Sequence, residues 1–445
     1  MKAYSAPRHV LVALAAIAVA SASGCAAAPE EAPAEAANSD LSETPHMLSE
    51  AAKTELANVG FSGDEINAVA ESIAISKVLG VQSFVKEAND GDAKPDSSVR
   101  RESHGKAQGC LRAKVEVTTS TGAGVFKSGA SYPAWVRLSN GGAYQHDDKS
   151  QHISRGWAIK LLDVAASPTG THDFLFITSP RFFISDIRHY PGFLRSSGNG
   201  RLGFFFNLLT NMSFEEKSVI IHRLGLKVSN LLESPEYSAV PYAYGNETVK
   251  YAVAPCGSTP PSTPSSKPPP SGASDTYLEE AMNATLASSD PASGVCYSFF
   301  VQRPRAGGVD SIENPTHAWE GAFEQVAKIT IPHGQQRGGE VDYTKNDAEC
   351  ERMAFDPFNT TTASHPVGKT NFTRKFVYAA LSEFRRVEMP TIYARWQHNH
   401  DDASIPVEYR DELKKLKNPS ALAPKVKETK QPTVDDGFTR LGIVR

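Results

Sequence analysis

Two blocks far apart in the chain hold residue types that could do chemistry together. Near the C-terminal end, Phe355-Asp356-Pro357-Phe358-Asn359 is followed by Arg374, Tyr378 and Arg385. Steps of four and then seven residues keep these three near one face of a helix. A tyrosine can ligate iron as its phenolate. An arginine one turn earlier can donate to that oxygen and favour its ionised form. An ordinary amphipathic helix with a buried tyrosine would show the same spacing, so this block needs a second one beside it. The second is Arg101-Glu102-Ser103-His104-Gly105, which runs through Gly109 into a strand-like stretch from Leu111. A lone histidine is usually a surface or satisfied core residue. An imidazole held over a peroxide can do more. It can take the proton from the inner oxygen and return it to the leaving one.

Further blocks lie between these two, in order. Trp135-Val136-Arg137-Leu138-Ser139 and Arg155-Gly156-Trp157-Ala158-Ile159-Lys160-Leu161 alternate as strands do. Asp173 to Asp186 carries Thr178, Pro180, Phe182, Phe183 and Ile184, and Tyr190 follows four residues later.

Taken together, the blocks resemble the catalase superfamily, in particular its small bacterial haem proteins, which lack the long C-terminal additions of large catalases. The resemblance runs from about residue 97 to 386. It implies an α+β fold: an antiparallel β-barrel core with surrounding helices. It implies haem as cofactor, Tyr378 as the iron ligand, Arg374 as the partner of that tyrosine and His104 as the distal base. Ser139 would support His104, and Arg101, Arg137 and Arg385 would hold the haem propionates. Tyr190 matches an aromatic residue near the haem face. The distal asparagine of the family falls on Thr178. A hydroxyl offers one donor on a shorter arm where an amide offers two. The resemblance therefore implies a peroxide-cleaving oxidoreductase that is more peroxidase than efficient catalase. Its substrate would be hydrogen peroxide or an organic hydroperoxide, with a small reductant as electron donor. Ser103 beside His104 also resembles members that rearrange organic or fatty-acid hydroperoxides. The missing asparagine also fits a haem-binding protein without turnover.

The elements that must position these residues can be read from patterning. Residues 45–96 show helical spacing, interrupted by Gly60 and Gly80, and predict two or three short helices. Strands are expected over Arg112–Thr118, Ala134–Ser139, Trp157–Leu162, Phe174–Thr178, Val249–Ala254 and Gln325–Ile331. Residues 186–235 look mainly helical, and helices are expected over 275–287 and 371–386. Residues 255–274 hold a Pro/Ser-rich stretch that can form neither ladder nor helix interior, so it reads as a surface loop within the 97–390 domain.

The formal net charge of -4 shows no basic excess for nucleic acid. Lys2 and Arg8 precede an apolar run too short to span a bilayer, and Ser21-Ala22-Ser23-Gly24-Cys25 follows. Residues 1–24 read as a lipoprotein-type export signal and 25–44 as a flexible tether, with residues 391–445 a C-terminal tail. The protein would then sit at the bacterial cell envelope, touching the membrane only through a lipid on Cys25, or else be periplasmic or secreted. Four further cysteines, Cys110, Cys256, Cys296 and Cys350, allow two disulfides whose pairing the sequence cannot give. The low-complexity insert between Cys256 and Cys296 favours joining those two. His398 and His400 beside Asp402 could bind a divalent metal, but histidines two apart in a polar loop are ordinarily solvated. The lipid anchor is directly testable. Labelled palmitate should appear on the wild type in a bacterium competent for lipoprotein processing and vanish in Cys25→Ser. A wild type that is never labelled would leave simple secretion.

Overall fold

The computed structural model describes residues 48–90, 101, 103–120, 122–142, 148, 154–198, 204, 208, 210–261, 266–306, 310–341 and 343–392. The export signal, the tether, Cys25, the loop with His398, His400 and Asp402, and the tail beyond 392 lie outside them. Nine strands are described: β1 (Ala107–Val117), β2 (Ser131–Asn140), β3 (Arg155–Leu161), β4 (His172–Ile177), β5 (Glu236–Tyr237), β6 (Tyr242–Tyr244), β7 (Glu247–Pro255), β8 (Val295–Gln302) and β9 (Phe323–Ile331). They pair in the order β5-β4-β3-β2-β1-β9-β8-β7-β6, and β5 also pairs with β7. That last pairing, Glu236 opposite Val253, closes an eight-strand antiparallel barrel and leaves β6 as a hairpin arm on β7. Closure removes the exposed edges an open sheet would present.

Side chains fill the barrel. Phe174 meets Phe299 and Tyr251 edge-on at 4.9 and 5.2 Å, and Trp157 meets Tyr297 edge-on at 4.7 Å. Ala134, Val136 and Leu138 share this interior core, so the two-residue period turns Trp135, Arg137 and Ser139 outward. By the same parity Trp157 and Ile159 point in while Gly156, Ala158 and Lys160 lie on the outer face. The outer face of β1–β4 is therefore where the candidate polar residues collect.

The helices cover that face and its rim. Among the described residues they are α1 (Glu50–Asn58), α2 (Gly63–Asp90), α3 (Tyr190–Gly198), α4 (Phe214–Gly225), α5 (Tyr277–Ser288), α6 (Tyr343–Arg352) and α7 (Lys369–Glu383). The expected break at Gly80 does not occur, because α2 runs straight through it. Val78, Leu79, Val81 and Phe84 are buried there. Each buried side chain is worth about 1.5–3 kcal/mol, against about 1 kcal/mol for a helical glycine. Leu56, Val69 and Ile73 of α1 and α2 pack with Val377 and Leu381 of α7. Lys369 reaches Glu65 at 2.9 Å, and Lys77 reaches Glu388 at 2.7 Å. The N-terminal helices thus brace the helix that carries Tyr378.

Helix α7 runs into a π-helical turn, Phe384–Glu388, and α-helix resumes at Met389. Phe384 and Arg385 are both buried in this turn. Two disulfides are present, Cys256–Cys296 and Cys110–Cys350. The first joins the residue after β7 to β8 and so brackets the Pro/Ser-rich stretch and α5, as the insert suggested. The second ties β1 to the end of α6.

One buried ion pair fixes the cover to the barrel. Lys160 and Asp173 are fully buried, with Nζ 2.8 and 3.0 Å from the two carboxylate oxygens. Asp173 also accepts the backbone N–H of Asp356 at 2.8 Å, and its own N–H donates to the Asn359 carbonyl. The segment Phe355–Asn359 is thereby pinned to β4. Asp173→Asn leaves Lys160 buried without a counter-charge and should cost about 3–5 kcal/mol in urea unfolding. Adding Lys160→Met should recover most of the loss. An unchanged midpoint in the single variant would show that the pair is not what holds this segment.

Candidate functional site

His104 stands where the chain enters β1, in a left-handed backbone conformation (φ 55°) that non-glycine residues rarely adopt. Its surroundings hold it there. Arg137 donates to the His104 carbonyl at 2.9 Å, and the Gly105 N–H donates to Gly142 O at 2.9 Å. The imidazole Nδ1 lies 2.8 Å from Ser139 Oγ. Ser139 has the Gly156 carbonyl within reach at 3.5 Å. With its proton directed there, Ser139 accepts from Nδ1–H, and Nε2 is left with the lone pair a general base needs. A Cβ on Gly156 would stand 2.4 Å from His104 Cε1 and 2.6 Å from Nδ1, so only glycine leaves the ring its place.

Burial pushes the imidazole pKa down to about 3, helped by the charges of Arg137, Arg223, Arg101 and Arg374. The ring is therefore neutral at pH 7. It lines a cavity of about 330 Å³, open space included, together with Arg101, Arg137, Ser139, Leu175 and Phe355.

Tyr378 lines a second cavity of about 420 Å³ with Phe182, Ile184, Tyr190, Arg374 and Val377. Tyr378 also packs in one cluster with Leu175 and Phe355, which wall the His104 cavity. One turn earlier on α7, Arg374 donates to Tyr378 Oη at 3.3 Å and to Asn371 Oδ1 at 2.9 Å. The charge of Arg374 also acts to lower the His104 pKa, after burial and the charges of Arg137, Arg223 and Arg101. Burial also raises the Asp356 carboxyl to about 7, against the Phe358 N–H bond and the nearby charges of Lys160 and Arg374.

The remaining arginines converge on the last turn of α6. Arg101 donates to the carbonyls of Cys350 and Met353, both at 2.9 Å. Arg385, in the π turn, donates to the carbonyls of Glu351 at 2.7 Å and Met353 at 3.0 Å. Arg137 reaches the Glu351 carboxylate at 2.8 Å.

The structure thus brings His104, Ser139, Arg101 and Arg137 to one cavity and Tyr378, Arg374 and Tyr190 to the other. Arg385 lines neither cavity and meets Arg101 and Arg137 at the end of α6. Thr178 is the expected site residue that is not brought in. Its hydroxyl accepts the Arg155 N–H at 2.8 Å and lies 3.3 Å from the Arg155 carbonyl. The strand period explains this: Phe174 and Phe176 face the barrel interior, and Thr178 keeps their parity. Ser103 is buried and turns towards the Gly141 carbonyl, and it is not on the cavity wall either. Three contributors escaped the sequence reading: Gly156, Arg223 and Glu351. Gly156 stood in a quoted block, but only its approach to the imidazole reveals its use. Arg223 and Glu351 act across distances of more than a hundred residues and leave no local signal.

Among solved structures the chain is similar to a fungal catalase, with TM-score 0.52 and 18% identity over 64% of this chain and 59% of that one. It is similar to catalase A from Saccharomyces cerevisiae, with TM-score 0.51 and 18% identity over 64% and 61%. A bacterial catalase matches with TM-score 0.51 and 16% identity over 76% and 64%. The chain thus spans about three fifths of the length of these structures. No family model and no curated protein sequence matches it. At these identities the likeness shows the fold, which is the catalase fold.

The buried histidines make stability depend on pH. Burial lowers His104 and His172 alike from 6.5 to about 3, with Lys160 adding to the effect at His172. Below pH 6.5 the unfolded chain takes up these protons and the folded chain does not, so stability falls as pH falls from 6.5 towards 3. Asp356, raised from 3.8 to about 7, acts in the opposite sense over that window. One histidine contributes a loss of about 2 kcal/mol at pH 5. His172→Phe should therefore lose about 2 kcal/mol less than wild type between pH 7.5 and pH 5, read from unfolding at both values. Parallel losses in the two proteins would show that His172 does titrate in the fold.

Proposed function

We propose, from the catalase fold and the residues gathered on its outer face, that this chain is a haem-dependent, peroxide-cleaving oxidoreductase. The observation that carries the reading is His104. It is buried, neutral, held in a left-handed backbone and bonded through Nδ1 to Ser139, so Nε2 is kept as a base. Structures hold such strain where function requires it.

The donor set fits haem. Tyr378, with Arg374 on its oxygen, is suited to an iron(III) ligand. Arg101, Arg137 and Arg385 form a cationic corner suited to propionates. Haem, when bound, would supply the redox-active iron at which the peroxide bond is cleaved. The chain's own work is proton handling and exclusion of water. His104 Nε2 would accept a proton from one oxygen of a bound peroxide and hold it ready for return to the other. Leu175 and Phe355 keep the cavity apolar, which strengthens each charged interaction within it.

No carboxamide stands among the described residues lining the His104 cavity, and Thr178 is committed to β3. A second peroxide would therefore be poorly held, which supports peroxidase-like turnover over rapid disproportionation. The two disulfides fit an oxidising compartment, in keeping with the proposed export and Cys25 anchor. The test uses haem-loaded protein. Wild type should evolve oxygen slowly from hydrogen peroxide and oxidise small phenols more readily. His104→Ala should lose about 10²–10⁴-fold in both reactions while keeping its haem absorption. Full activity in His104→Ala would show that another group is the base.

A further inference from the structure

The arginine corner already holds an anion that belongs to the chain itself. Glu351 Oε1 accepts from Arg137 Nη2 at 2.8 Å and Nε at 3.2 Å, and its other oxygen is 3.9 Å from Arg101 Nε. Burial would raise this carboxyl, but the charges of Arg137 and Arg101, the Arg137 hydrogen bond and the charge of Arg385 outweigh it and hold the pKa down to about 2. Glu351 is therefore ionised across the physiological range. Its side chain keeps 25% exposure, whereas Arg101 and Arg137 keep 2% and 3%. The Glu351 side chain is thus the least enclosed of the three.

The backbone beneath it is fixed at three levels. Cys350 is bonded to Cys110 of β1. Arg101 holds the carbonyls of Cys350 and Met353, and Arg385 holds those of Glu351 and Met353. Departure of the carboxylate from Arg137 is accordingly a side-chain rotation on a held backbone.

We infer that Glu351 is a built-in competitor for the propionate site. Its carboxylate occupies Arg137 and faces Arg101, so a propionate can take these groups only by displacing it. The inference rests on the haem reading above and adds to it a residue that sets how tightly haem is held. Without such an anion, three cations in one buried corner would repel one another and destabilise the haem-free fold. With it, part of the binding energy of a propionate is spent on displacement, and the apparent affinity falls by the fraction of molecules in which the site is closed.

The experiment is a titration of haem-free protein with haem and, separately, with the dimethyl ester of haem, followed by absorption. Glu351→Gln should bind haem about ten- to a hundredfold more tightly than wild type, the range expected for removing one charged hydrogen-bonded rival. The ester carries no carboxylates and should bind both proteins alike. Glu351→Asp, whose shorter arm draws back from Arg137, should move haem affinity in the same direction and serves if the glutamine variant does not fold. Equal or weaker haem binding in these variants, with wild type still binding haem, would overturn the competition and leave the haem reading intact. An equal gain for the ester would also overturn it, because the effect would then not involve propionate. Absence of haem binding in every protein would overturn both readings together.

Discussion

Three guanidinium groups in one buried corner set the terms for the rest of this structure. Arg101, Arg137 and Arg385 come from the entry to β1, from β2 and from the π turn after α7, and all converge on the end of α6. Arginine does not lose its charge on burial, so each group must find acceptors. The end of α6 and the residue after it offer them, through the carbonyls of Cys350, Glu351 and Met353 and the Glu351 carboxylate. The same convergence orients the active groups. Arg137 grips the carbonyl of His104, and Arg385 fixes the far end of the helix that bears Tyr378. The Cys110–Cys350 bond ties the meeting point to the barrel wall.

The barrel contributes by being full. Its aromatic interior leaves the outer face of β1–β4 to the candidate polar residues, and the two-residue period distributes them accordingly. Lys160 and Asp173 meet on that face and hold down the Phe355–Asn359 segment, which walls the His104 cavity. Gly156 on the same face leaves room for the imidazole. A rigid sheet positioning a strained histidine is a more exact device than a loop could be, because each partner is itself locked by packing.

Much of this was legible in the sequence where the signal is local. The step of four from Arg374 to Tyr378 becomes a 3.3 Å contact, and the alternation around Arg137 and Ser139 puts both on one face. Long-range facts were not legible. Arg137 and Glu351 are 214 residues apart, and nothing near either announces the other. Thr178 aligns with a site position, yet strand parity turns its hydroxyl to the Arg155 backbone. Gly80 reads as a breaker, yet the burial around it outweighs its cost. Helical spacing carried Arg385 onto the face of Tyr378, but the chain reaches that corner through a π turn, a distortion common at functional sites.

On the proposed haem function, Tyr378, with Arg374 on its oxygen, is the group that would meet iron. The most direct measurement is the absorption spectrum of the ferric haem-loaded protein, taken for wild type and for Tyr378→Phe. Wild type should show a five-coordinate phenolate-type spectrum, and Tyr378→Phe should lose that signature or the haem itself. An identical spectrum in the two proteins would contradict that role for Tyr378.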